Sequence, residues 1–134
     1  MKEMVYSPEM RQKEILFKGE YKEHKFCILN LGWHPTAYVE CKINNIQYYG
    51  DDRLDDISVH GGFTYFDGVN WDDKEDKCVY LGWDYGHCYD YSGLDLKYPD
   101  LYNDIPRKKW TTSEIFEEVK SVIEQLIPLE ESES

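Results

Sequence analysis

Thr111-Thr112-Ser113-Glu114-Ile115-Phe116-Glu117-Glu118-Val119-Lys120-Ser121-Val122-Ile123-Glu124-Gln125-Leu126-Ile127-Pro128 decides the architecture. Ile115, Val119, Val122, Ile123 and Leu126 recur at helical spacing, so one face of a helix over this stretch is apolar. Thr111 and Glu114 stand three apart, which suits a capping box at the helix start. Pro128 has no backbone N–H and is expected to stop the helix. Glu130–Ser134 then reads as a solvated tail.

Everything upstream reads as strands and turns. Ile15-Leu16-Phe17 is a first strand ended by Gly19, and Phe26-Cys27-Ile28-Leu29-Asn30-Leu31 a second. Gly32-Trp33-His34-Pro35 punctuates the chain as a turn. Thr36–Ile43 alternates, with Ala37, Val39, Cys41 and Ile43 on one face. Ile57–His60 reads as a short strand, interrupted by Gly61-Gly62 and resumed over Phe63–Phe66. Cys78–Asp84 is the next, with Val79, Leu81 and Trp83 facing together. Tyr48–Asp56 reads as a surface loop and Asp67–Lys77 as an acidic hairpin tip. Tyr85–Lys109 is irregular and long enough to hide a short helix.

Strands first and a helix last give an α+β fold: an antiparallel sheet of five to six strands with the C-terminal helix on one face. No helix separates the strands, which argues against a parallel βαβ arrangement. The 134 residues suit a single α+β domain over 1–134, with ends at 1–12 and 129–134 expected to be loosely held.

Net charge is −12, from 27 acidic and 15 basic residues. That balance disfavours direct contact with nucleic-acid phosphates or an anionic membrane. No apolar run has the length of a membrane span, and the first residues lack an apolar signal stretch, so a cytoplasmic location is expected. Cys27, Cys41, Cys78 and Cys88 form no C-x-x-C pair; reduced thiols are expected and a thiolate zinc site is not. The aspartates of the hairpin tip do not follow the spacing of a calcium-binding loop.

One constellation carries chemistry. A simple hairpin around Asp67–Lys77 would set Phe66 opposite Cys78, Gly62 opposite Gly82 and His60 opposite Asp84. A carboxylate beside an imidazole raises its pKa and orients its tautomer. Facing glycines would leave bare backbone beside the pair, where a ligand can approach. Asp84, His87 and Asp90 are spaced by three, and a turn started at Gly86 would gather them with His60 at the end of the sheet. Tyr80, Trp83, Tyr85 and Tyr89 could supply stacking surface. The expected binding residues are thus His60, Gly61, Gly62, Asp84, Tyr85, His87 and Asp90. The plainest alternative is a His–Asp pair that merely satisfies itself.

Tyr49-Gly50-Asp51-Asp52, Asp55-Asp56-Ile57-Ser58-Val59-His60-Gly61-Gly62-Phe63-Thr64-Tyr65 and Gly82-Trp83-Asp84-Tyr85-Gly86-His87-Cys88-Tyr89-Asp90 together resemble a family of small uncharacterised proteins. That family is encoded by tailed phages, prophages and their bacterial hosts, and its members end in a helix, as Thr112–Ile127 does here. The resemblance spans roughly His24–Ile127. It departs where relatives carry leucine at Phe63 and cysteine at Tyr85, so no role attached to that cysteine transfers. It implies a setting, a phage or mobile-element accessory gene acting in the bacterial cytoplasm, and no particular activity.

Three functions stay open on this reading. The leading one is an accessory protein that binds a small molecule or a host or defence protein, without cofactor and without committed catalytic residues. A second is a metal-assisted hydrolase using His60, Asp84, His87 and Asp90. A third is an acidic nucleic-acid mimic that occupies the groove of a host or defence protein.

Overall fold

The computed structural model describes residues 1–46, 51–67, 78–101 and 105–132. Residues 47–50 and 68–77, which carry much of the expected surface loop and hairpin tip, lie outside the described residues. Among the described residues five strands form one antiparallel sheet: β1 (Glu14–Tyr21), β2 (His24–Asn30), β3 (Pro35–Cys41), β4 (Tyr65–Asp67) and β5 (Val79–Asp84). Their order across the sheet is β1-β2-β3-β5-β4. The short helix α1 (Gly93–Lys97) lies in the irregular stretch, opened by a Ser92/Asp95 capping box. Helix α2 (Thr112–Glu131) packs against β1, β2 and β3, which makes the fold α+β.

Alternation and helical period meet in one core. Phe26 and Ile28 of β2, Ala37, Val39 and Cys41 of β3, and Leu81 and Trp83 of β5 turn inward. Ile115, Val119, Val122, Ile123 and Leu126 of α2 are all fully buried against them. Each such side chain removed from water contributes about 1.5–3 kcal/mol. The capping box forms as expected: the Thr111 hydroxyl accepts from the Glu114 N–H, and the Glu114 carboxylate accepts from the Thr111 N–H.

Four expectations at the periphery are overturned. Ile57–His60 is an irregular segment and not a strand. Residues 1–12 are not loosely held: Met4 and Tyr6 are buried, the Tyr6 hydroxyl donates to the Trp110 carbonyl at 2.9 Å, and Lys2 N–H donates to the Leu16 carbonyl. Thr112 is capped in turn by this segment, its hydroxyl donating to the Lys2 carbonyl at 2.7 Å. The helix also runs through Pro128, because its last turn is anchored from outside. Glu130 takes His24 Nε2 at 2.6 Å on one oxygen and the Lys42 N–H at 2.7 Å on the other. Glu130 is therefore part of the packing and not a solvated tail. No helix among the described residues is long and apolar enough to cross a membrane.

Candidate functional site

The expected pairing of His60 with Asp84 does not form. In the β4–β5 hairpin Tyr65 stands opposite Gly82, Phe66 opposite Leu81 and Asp67 opposite Tyr80. That register differs by three residues from the one a symmetric hairpin predicts, and an odd shift moves every side chain to the other face. Gly82 consequently faces Tyr65 and Tyr38, not Gly62: a methyl group on Gly82 would meet the Tyr38 ring at 2.6 Å.

His60 reaches the site by another route. The segment Ile57–His60 lies along α2, where two side chains seven residues apart pin its backbone. Gln125 accepts from the Ser58 N–H at 2.7 Å and donates to the Ser58 carbonyl at 2.9 Å. Glu118 accepts from the His60 N–H at 2.6 Å. Residues i and i+7 share a helix face, so α2 holds the segment as a rail. The chain then turns at Gly61 and Gly62, whose φ angles of 69° and 79° lie in the left-handed region that glycine tolerates.

Asp90 arrives from the end of β5. After Asp84 the backbone bends, with Gly86 N–H donating to the Asp84 carboxylate at 2.9 Å. Asp90 N–H then donates to the His87 carbonyl at 3.0 Å, closing a turn that brings Asp90 back beneath His87. Pairing of Tyr89 and Tyr91 with Lys108 fixes this stretch beside the residues that lead into α2.

The result is a hub. The Asp90 side chain is only 3% exposed. Its Oδ2 accepts from His60 Nε2 at 2.8 Å, from the His87 backbone N–H at 3.0 Å and from His87 Nδ1 at 3.3 Å. Its Oδ1 accepts from Trp110 Nε1 at 2.8 Å. Burial alone would push the Asp90 carboxyl up. The bonds from His60, the His87 backbone and Trp110, with the charge of His60, outweigh that burial and leave Asp90 below the usual carboxylate range. An ionised carboxylate only accepts, so each imidazole directs an N–H at it.

The rings are seated as firmly as the carboxylate. His60 stacks on Tyr85 at 4.5 Å between centroids with 12° between planes, and meets Trp110 edge-on at 5.0 Å. The Cε1–Nε2 edge of His87 lies against Gly61, leaving no room there for a Cβ. Asp84 stays at the margin, 3.8 Å from His87 Nδ1 and held by Gly86 and more weakly by the Thr64 hydroxyl.

Of the residues expected at the site, His60, Gly61, Tyr85, His87 and Asp90 come together, and Asp84 borders them. Gly62 faces open space. Tyr80, Trp83 and Tyr85 cannot serve as stacking platforms for a ligand, because all three are buried; of that set only Tyr89, at 68%, is exposed. Trp110 and Glu118 were not foreseen as site residues. A lone tryptophan directly ahead of a helix cap, and a polar pair at i, i+7 on that helix, are the only signals that point to them.

No family model, no curated protein and no solved structure matches the chain.

Proposed function

We propose that this is an accessory protein of the phage and prophage type that works by binding, and that its binding centre is the His60–Asp90–His87 hub. One observation carries the reading. Two imidazoles are tied to a single oxygen of a buried carboxylate, while 24% of the His60 side chain and 39% of the His87 side chain remain at the surface. A self-satisfied His–Asp pair needs one histidine. A second one, half-exposed and seated by a glycine that holds a left-handed conformation, supports a role at the surface beyond satisfying Asp90. Lys108, ion-paired with Glu114 at 2.8 Å, lies 4.1 Å above the Trp110 ring, and exposed Tyr89 follows His87 by two residues. The occupant on this reading is a small molecule or a host or defence protein.

The test is retention. Tagged parent and His87→Ala proteins are passed through bacterial lysate, and bound proteins and small molecules are identified after release. His87 lies outside the hydrophobic core and its side chain is 39% exposed, so the variant should keep the parent's fold. A component held by the parent should be lost from His87→Ala by at least tenfold, which is about 1.4 kcal/mol. Equal recovery from both proteins would remove the hub from any binding role.

A further inference from the structure

We infer that the hub is a site for one divalent first-row transition metal ion, ligated by His60 Nε2, His87 Nδ1 and Asp90 Oδ2. The inference deepens the binding reading, since it concerns the same centre, and names the chemistry of what is bound there.

Three observations converge on it. His60, His87 and Asp90 each bring one ligand-competent atom within 4.8 Å of the other two. Bonds of about 2.0–2.1 Å from one ion to nitrogen and oxygen place tetrahedral ligand atoms roughly 3.3 Å apart. Asp90 Oδ2 stands 2.8 Å from His60 Nε2 and 3.3 Å from His87 Nδ1, so small adjustments would admit an ion.

The second observation is crowding. Three N–H groups, two from rings and one from the backbone, aim at Oδ2, whereas a carboxylate oxygen offers about two lone-pair positions. A cation in place of the two ring protons relieves that crowding. It leaves the His87 N–H on Oδ2 and the Trp110 Nε1–H on Oδ1.

The third is the support around the ligands. Ligating carboxylates and imidazoles are commonly fixed by an outer layer of hydrogen bonds and packing. Here Trp110 holds Asp90, Tyr85 stacks beneath His60, and Gly61 seats His87. Asp84 lies just beyond the ligand set, 3.8 Å from His87 Nδ1. Two imidazoles and one carboxylate suit a borderline ion such as zinc, cobalt or iron better than calcium or magnesium. Three protein ligands leave a coordination position for water or an incoming donor.

The experiment uses the full chain, stripped with chelator and titrated with Zn2+ by calorimetry and with Co2+ by visible absorption. One equivalent per chain should bind, with the cobalt bands of a low-coordinate site. His60→Ala, His87→Ala and Asp90→Asn should each abolish that equivalent. Trp110→Phe, which keeps all three ligands, should weaken it about 10- to 100-fold. Should Asp90→Asn fail to fold, the half-exposed His87→Ala and the Trp110→Phe series still decide the outcome. No binding to the parent, or binding that survives in His60→Ala and His87→Ala, overturns the inference. If no metal binds but lysate components still depend on His87, the metal inference fails and the binding reading stands. If metal binds as described and nothing is retained from lysate, the metal site stands and the wider binding reading fails.

Discussion

Asp90 is buried, and a buried carboxylate is tolerated only where donors replace the water it loses. Four N–H groups do so here: three belong to His60 and His87, which reach the surface, and one to Trp110. The glycines beside them have separable roles. Gly61 and Gly62 both hold a positive φ, but only Gly61 has the His87 ring where its Cβ would be. Gly62→Ala should cost about 1–2 kcal/mol through backbone conformation alone. Gly61→Ala should cost more and also displace His87. Urea unfolding gives the first quantity, and the His87 ring resonances report the second. A Gly61→Ala protein with parental stability and an unmoved His87 would show that the ring does not rest on that glycine.

At the scale of single elements, α2 organises both the core and the site. Its apolar face is legible because five residues repeat at helical period and nothing else in the chain does. Its cap is legible from Thr111 and Glu114. Its end is not, because proline forecasts a stop only from local backbone chemistry, whereas the last turn is held by contacts of Glu130 with His24 and Lys42, distant in sequence. The cap carries a pH dependence. The Glu114 carboxyl is held below its ordinary value chiefly by Lys108, which with the Thr111 backbone and hydroxyl outweighs the opposing effect of burial. A group whose folded value is depressed stabilises above its unfolded value and loses that contribution as pH falls through the folded one. Glu114→Gln should therefore be less stable than the parent at pH 7 by a few tenths to about 1 kcal/mol, the group being exposed. Urea unfolding at a series of pH values should show the gap closing below about pH 4. A gap that stays constant into acid would mean the carboxylate charge contributes nothing to the cap.

Across the whole molecule, the fold class follows from the run of strands, with clear alternation in β3, and from the placement of the one strong helix last. The register of β4 does not. Residues 68–77 join β4 to β5, and hairpin register is set by the connection and not by the strands alone. Counting from an assumed symmetric turn placed Asp84 against His60, when a bend at Gly86 instead returns Asp90 to it. Residue type and spacing thus grouped His60, Asp84, His87 and Asp90 in one cluster, while their pairing depended on tertiary routing: the Gln125 and Glu118 rail on α2, and the pairing around Lys108 that brings Trp110 alongside. The hub rests on that routing, and histidine side-chain 15N NMR tests it most directly. In chelator-treated protein at about pH 8, above the ordinary imidazole range, His60 should carry its proton on Nε2 and His87 on Nδ1. Both patterns should be lost in Asp90→Asn. A His60 protonated on Nδ1 alone, or ring signals indifferent to Asp90→Asn, would contradict the shared hub and with it both the binding centre and the metal ligand set.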